Sequence, residues 1–339
     1  MIRGRTGLRS VCKKTLTTES ESGDPTMSKP TILLMGMFYQ PKLDELEKLY
    51  DCHRHWAVPD KDALVASLAD RCEIVVTNGG RGISAQEMAQ LPKLRLVACF
   101  GVGVDAIDLD YARQHGIAVS NTPDVLTDDV ADMALALLLG TMRRIAQGDR
   151  FVREGRWLAG GMPVTRSLQR KRIGVVGLGR IGRAIASRCE AFNTEVGYFG
   201  PNRKSDVSYK YFDDVVAMAD WAEVVIAACP GGPSTYRIVS RAALEALGPD
   251  GVFINIARGS VVDQQAMIEL LAGGGLGAAG LDVFDNEPNV PAELIALDNV
   301  VLHPHQGSAT HPTRAAMGQL VIDNVAALVE GRELVTRVV

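Results

Sequence analysis

At 339 residues, 47% hydrophobic and 22% charged, the chain is long enough for two domains, each with its own core. A formal net charge of −4 argues against a nucleic-acid or anionic-membrane partner, which would call for a basic excess. Six cysteines without a Cys-x-x-Cys pair point to a reduced, cytoplasmic protein rather than a disulfide framework.

Residues 1–29 are polar and irregular and read as a disordered N-terminal extension, with Met27 just ahead of the first strand. Arginine and lysine come first, as in a transit peptide, but Glu19, Glu21 and Asp24 argue against one. A short apolar strand is predicted over 31–36, then a helix over 41–50 with leucines at 43, 46 and 49. His53-Arg-His55 has no third ligand at useful spacing, so it reads as a surface pair and no metal site is expected. Further strands are predicted over 74–77, 96–100 and 117–120. The first of these ends in Asn78-Gly-Gly-Arg-Gly82 and the second in Gly101-Val-Gly-Val-Asp105. Strands alternating with helical stretches at this spacing indicate an α/β domain with a parallel sheet.

Asn121-Thr-Pro-Asp124 breaks the pattern, and one long helix is predicted from Thr127, as N-cap, to about Arg150. Its apolar run 133–142 is too short to span a membrane. Alternation resumes with six strands near 172–177, 194–199, 223–228, 251–256, 276–281 and 299–302, and a last helix follows over 312–330. Six is the number a full dinucleotide-binding domain needs. The expected fold class is therefore α/β, with two Rossmann-like or flavodoxin-like parallel-sheet domains. A substrate domain spans 30–126 and 312–339, and a dinucleotide domain over 127–311 is inserted into it.

The inserted domain opens with Gly177-x-Gly179-x-x-Gly182 between an apolar strand and a helix. The first glycine makes the tight turn, the second lets backbone approach a pyrophosphate, and the third lets helix pack on strand. The helix start then offers free N–H groups and a positive dipole end to the phosphates. An NAD-type acid is missing at the end of the next strand, where Gly200 stands, followed by Arg203 and Lys204. A carboxylate there would repel a 2′-phosphate, whereas a guanidinium binds one, so NADP(H) is favoured with NAD(H) also admitted.

Three charged features sit at later strand ends: Arg258 before a glycine, Asp282 with Glu287 in the following loop, and His305 ahead of a small-residue turn. Arginine holds a carboxylate, histidine moves a proton near neutral pH, and an adjacent carboxylate orients the ring and favours its charged form. Cys99 and Cys229 close apolar runs and read as buried packing residues rather than catalytic thiols.

The stretches Gly177-Leu-Gly-Arg-Ile-Gly182, Ile254-Asn-Ile-Ala-Arg-Gly-Ser-Val-Val-Asp263, Gly280-Leu-Asp-Val-Phe-Asp-Asn-Glu-Pro288 and Pro304-His-Gln-Gly-Ser-Ala-Thr310 resemble the signatures of the D-2-hydroxyacid dehydrogenase family. The stretch 119–132 is similar to its glyoxylate/hydroxypyruvate reductase branch. The resemblance covers residues 30–339 and implies Arg258, Glu287 and His305 as the catalytic residues. It implies that Gly79, Gly80, Val102 and Gly103 meet the carboxylate of a 2-oxo or 2-hydroxy acid, alongside Arg258 and His305. It places the cofactor against Gly177, Leu178, Gly179, Arg180, Ile181, Gly182, Pro230, Ala257, Asp282 and Gly307, with Asp282 at the nicotinamide carboxamide. The branch that prefers NADP carries a Ser-Arg pair directly after the second strand, whereas here Gly200-Pro201 stands in that place. Asn202, Arg203 and Lys204 all remain candidates for the 2′-phosphate.

The same resemblance implies a homodimer with 127–150 and the following loop as its arm, from which Trp157 either caps a partner's pocket or simply packs. Within the family, a 2-ketogluconate-type reductase is the runner-up substrate reading. Formate and phosphoglycerate dehydrogenases are disfavoured by Glu287 and by the missing acid at Gly200. From another class, a non-catalytic nucleotide-sensing corepressor would use the same scaffold.

Overall fold

The computed structural model describes residues 29–339, so the extension expected over 1–29 falls, but for Lys29, outside the described residues. In chain order the strands are β1 (Thr31–Leu34), β2 (Asp51–Arg54), β3 (Cys72–Asn78), β4 (Leu96–Phe100), β5 (Ala118–Ser120), β6 (Arg172–Val176), β7 (Glu195–Phe199), β8 (Lys210–Phe212), β9 (Val224–Ala227), β10 (Val252–Asn255), β11 (Ala278–Leu281) and β12 (Val300–Leu302). The helices are α1 (Gln40–Leu49), α2 (Lys61–Leu68), α3 (Ala85–Ala89), α4 (Leu109–Gln114), α5 (Thr127–Met142), α6 (Ile145–Arg153), α7 (Arg180–Glu190), α8 (Val215–Trp221), α9 (Arg241–Leu247), α10 (Gln264–Gly273), α11 (Ala292–Ile295) and α12 (His311–Val329).

Two parallel sheets result. The first runs β2-β1-β3-β4-β5, the flavodoxin-like order. The second runs β12-β11-β10-β9-β6-β7-β8, the dinucleotide-binding order with one strand added beyond the usual six. Strands β1, β4, β9 and β10 are buried along their whole length. Parallel strands covered on both faces read as unbroken apolar runs, which made them visible in the sequence.

Two strands escaped that reading, so the second sheet has seven strands rather than six and the first has five rather than four. Both β2 and β8 lie at sheet edges and carry charged residues. Charge at an edge discourages pairing with other chains and also hides the strand from an apolar pattern. His53, expected on the surface, is half-buried in β2, its Nε2 3.0 Å from a carboxylate oxygen of Asp51.

The long helix expected over 127–150 is two helices. Arg144 adopts a left-handed backbone, with φ of 53°, and separates α5 from α6. Thr127 is not the N-cap. It is the first helical residue, its N–H donates to the Asp124 carbonyl at 3.0 Å, and Leu126 takes the cap position without a side-chain bond.

Helix α5 carries the chain from the first sheet to the second, where it packs on α7, β10 and β11. Helix α12 brings it back onto α1 and β4. The two crossings are bonded to each other: Thr310 Oγ1 donates to Asp129 at 2.5 Å and Thr313 Oγ1 to the Val125 carbonyl at 3.4 Å. The chain end then joins the first sheet, Val338 N–H donating to the Val119 carbonyl at 2.7 Å. Among the described residues no helix is long and apolar enough to cross a membrane.

Candidate active site

The carboxyl ends of β3 and β4 face those of β6, β9, β10, β11 and β12 across a cleft of about 870 Å³. Ligands of open parallel sheets bind at such ends, where the strand order reverses, here between β6 and β9.

The glycine turn after β6 is built for close approach. Gly177 has φ of +95°, and a Cβ there would stand 2.8 Å from the Cys229 backbone after β9. A Cβ on Gly182 would lie 2.0 Å from the Gly177 carbonyl oxygen, so the helix can approach the turn this closely only because residue 182 is glycine. At Gly179 a Cβ would meet nothing within 4 Å, which leaves room for a phosphate beside it. Gly179 caps α7 without a side-chain bond, so the first N–H groups of that helix are free for an anion. These residues fit a dinucleotide. Gly179, Arg180, Ile181, Pro230, Ala257, Asp282 and Gly307 line the cleft, while Leu178 is buried beneath it. Arg180 is already committed by its side chain, 2.6 Å from Asp124 in the segment between β5 and α5, which leaves its backbone for phosphate.

Arg258 follows β10 and crosses to the first sheet. Its Nε donates to both oxygens of Asp105 at 3.2 Å, and Nη1 to the Ala257 carbonyl at 2.9 Å. The fully buried Asn255 braces this turn, donating to the Arg258 carbonyl at 2.9 Å and accepting from Ala257 N–H at 3.0 Å. The remaining nitrogen, Nη2, sits against glycine backbone: a Cβ on Gly103 would be 1.7 Å from it and one on Gly79 3.3 Å. The two glycine-rich loops of the first sheet thus leave the gap into which the guanidinium reaches. Asp105 was missed in the sequence, although it ends the very loop that was singled out. Its signal was an acid two residues after the second glycine of Gly101-Val-Gly-Val-Asp105.

His305 and Glu287 meet as expected from their strand ends. His305 Nδ1 lies 2.7 Å from Glu287 Oε2, and since a carboxylate only accepts, Nδ1 carries the proton and Nε2 is left without a partner among the described residues. Burial pushes the Glu287 carboxyl up, but the His305 hydrogen bond and charge, the Phe284 N–H at 3.0 Å and the Arg258 charge together hold it below the usual glutamate value.

His305 itself has φ of +52°, in the left-handed region that non-glycine residues rarely occupy. Asp282, 2% exposed, holds it there. One Asp282 oxygen accepts from His303 Nδ1 and Gln306 N–H, the other from Gly307 N–H, each at 2.8 Å, while the Asp282 carbonyl accepts from His305 N–H at 2.8 Å. Most of the Asp282 hydrogen-bonding capacity therefore goes into the turn that aims His305, beyond any contact with a cofactor.

The loop after β7 lies beside the glycine turn, Gly177 N–H donating to the Phe199 carbonyl at 2.9 Å. Asn202, Arg203 and Lys204 are exposed there, and Lys204 N–H donates to the Tyr198 hydroxyl at 2.6 Å. None of the three lines the main cleft. Gly80 and Val102 line it from the first sheet. Arg314, on the returning helix α12, also lines it and was not foreseen. Cys99 and Cys229 are buried, as expected, and burial pushes their thiols up to about 12 and about 11, which makes them poor nucleophiles near neutrality. Trp157 is 67% exposed.

The profile of the D-isomer specific 2-hydroxyacid dehydrogenase NAD-binding domain matches residues 135–307. The glyoxylate/hydroxypyruvate reductase A of Arabidopsis thaliana is 46% identical over 87% of this chain and 95% of its own. The 2-ketogluconate reductase of Gluconobacter oxydans is 41% identical over 92% of this chain and 99% of its own. Among solved structures, an NADPH-dependent glyoxylate/hydroxypyruvate reductase from Sinorhizobium meliloti, in complex with NADP and malonate, superposes with a TM-score of 0.86. It is 40% identical and covers 92% of this chain and 97% of that one.

Proposed function

The chain belongs to the D-isomer specific 2-hydroxyacid dehydrogenase family, and we propose that within it this protein is an NADPH-preferring reductase of small 2-oxo acids, glyoxylate and hydroxypyruvate first, giving the D-2-hydroxy acid. The observation that carries this reading is the His305–Glu287 pair facing Arg258 across one cleft, beside a glycine turn with room for phosphate. The curated names of its relatives support the substrate class.

Arg258, steadied by Asp105, would hold the substrate carboxylate together with backbone N–H groups of Val102 and Gly103 and the Gly79–Gly80 segment, and polarise the 2-oxo group. A reduced nicotinamide, when bound, supplies the hydride to C2. His305 gives the Nε2 proton to the oxygen of the developing alkoxide, and Glu287 balances the imidazolium charge beforehand. In the oxidative direction His305 takes that proton back as base. Closure of the cleft on its ligands would exclude water.

Gly200, in place of an acid, and the exposed Asn202, Arg203 and Lys204 support NADPH over NADH. The arm after α5 supports a homodimer: Trp157, Leu158 and Val164 are 67%, 95% and 100% exposed, more apolar side chain than one short segment leaves to water without a second copy to cover it. Free, mostly buried cysteines suit a reducing cytoplasm.

The test is loss of reduced-nicotinamide absorbance with a panel of 2-oxo acids, 2-ketogluconate included, each with NADPH and NADH. Turnover of glyoxylate and hydroxypyruvate with NADPH is expected. Nucleotide binding without oxidation by any acid would leave the sensor reading in its place.

A further inference from the structure

Four arginines line the cleft, and three of them are paired. Arg113 lies 2.6 Å from Asp110, Arg180 2.6 Å from Asp124, and Arg258 3.2 Å from Asp105. Arg314 has no ion pair and no side-chain hydrogen bond among the described residues, although it is half-buried. Its guanidinium stacks 5.4 Å over the Phe100 ring, which in turn lies 5.3 Å from Phe38. Asp282 is close enough to act on it through space, but the oxygens of Asp282 are occupied by His303, Gln306 and Gly307. Burial pulls the Arg314 guanidinium below its ordinary value, against the opposing charge of Asp282.

That placement leaves Arg314 under-used. A half-buried cation faces a ring alone, and its donors, none of them sealed from water, remain free for a ligand's oxygen. Arg314 also stands in the first turn of α12, the end of a helix that favours negative rather than positive charge. A guanidinium has donors only, so the missing partner is an acceptor, and the space in front of it is the ligand cleft. Arg258 and Arg314 flank the same strand end: one rests against Gly103, the other against Phe100. A substrate whose carboxylate is held at Arg258 therefore has a second cation waiting for its other end.

We propose that Arg314 is a specificity-determining residue that binds an oxygen on C3 or beyond of the 2-oxo acid, a hydroxyl or a second carboxylate. Glyoxylate has no such carbon and cannot use it. Pyruvate offers a methyl group there. Hydroxypyruvate offers a hydroxyl and oxaloacetate a carboxylate. The inference rests on the reading of the cleft as a 2-oxo acid reductase.

The experiment measures kcat/KM for these four acids with NADPH in the wild type, in Arg314→Met and in Arg314→Lys, with melting temperature and NADPH affinity confirming that each variant is folded. In Arg314→Met, kcat/KM for the oxygenated acids should fall about tenfold or more relative to glyoxylate and pyruvate. Whichever of hydroxypyruvate and oxaloacetate loses more identifies the group that Arg314 takes. Arg314→Lys keeps the charge without the fork and should restore part of the loss. Equal falls for all four acids, or no change, would overturn the proposal while leaving the reductase reading standing. If the folded wild type turned over none of the four, the reductase reading and this proposal would both fall. Should Arg314→Met fail to fold, the same comparison in Arg314→Lys decides: a preference identical to wild type overturns the proposal.

Discussion

The two sheets contribute to one cleft in different ways. The first presents backbone, through the glycine-rich loops after β3 and β4, and its charged Asp105 serves a side chain of the other half. The second presents side chains, Arg258, Glu287 and His305, each from a loop after a different strand and each held by its own local bonds. In the proposed reaction the backbone surface would read the fixed end of the substrate, and the side-chain surface would perform chemistry on it. Substitutions in the two halves should therefore fail differently.

The largest expected effect lies in the second sheet. His305→Ala should lower kcat by roughly 10²–10⁴, the usual range for a lost general acid, while NADPH affinity is largely kept. Near-full turnover in that variant would end the distinction between the halves. Gly103→Ala tests the first. The new Cβ would fall 1.7 Å from Arg258 Nη2 and 2.8 Å from Asp105, so the guanidinium must move away. Steady-state kinetics should show kcat/KM for the 2-oxo acid falling by about tenfold or more, a barrier change of about 1.4 kcal/mol or more, with the KM for NADPH little altered. An equal rise in both KM values would mean that the loops do not divide the work in this way.

Arg203→Ala, outside the cleft, should raise the KM for NADPH several-fold and leave that for NADH nearly where it was. A parallel rise for both would move the 2′-phosphate to Asn202 or Lys204.

The smallest effect concerns acid stability. Because the Glu287 carboxyl sits below its ordinary 4.5 in the folded chain, the stability it contributes is present above that value and is lost as pH falls through the lower folded one. Thermal melts on the acid side should therefore show a shallower decline for Glu287→Gln than for the wild type. Identical slopes would show that the carboxylate is not held by the folded state.

Legibility differed between the same two regions. The interior strands, the glycine turn and the charged strand-end residues could all be read from the chain, because apolar runs, glycine spacing and charges at strand ends are local signals. Arg258 and His305 stood at such ends and meet in the cleft. Strands β2 and β8 could not be read, since they are only four and three residues long, each interrupted by charge, and become strands only when a neighbour pairs with them. Thr127 resembled an N-cap because its chemistry suits one, yet the turn from Asp124 started the helix one residue earlier than a side-chain cap would have placed it. The break at Arg144 has no glycine or proline to announce it.

What the sequence determined by itself was the pair of parallel α/β domains, the nucleotide turn and the charged residues at the strand ends, because each depends on neighbours within a few residues. Only the tertiary structure decided which charges are already satisfied. Asp105 reaches Arg258 across 153 positions, Asp282 ties down the His305 turn from 24 positions away at Gln306, and Arg314 is left without an ion-pair partner among the described residues. Pairing of charges is a property of distance in space, and the chain reveals it only once its two sheets face each other.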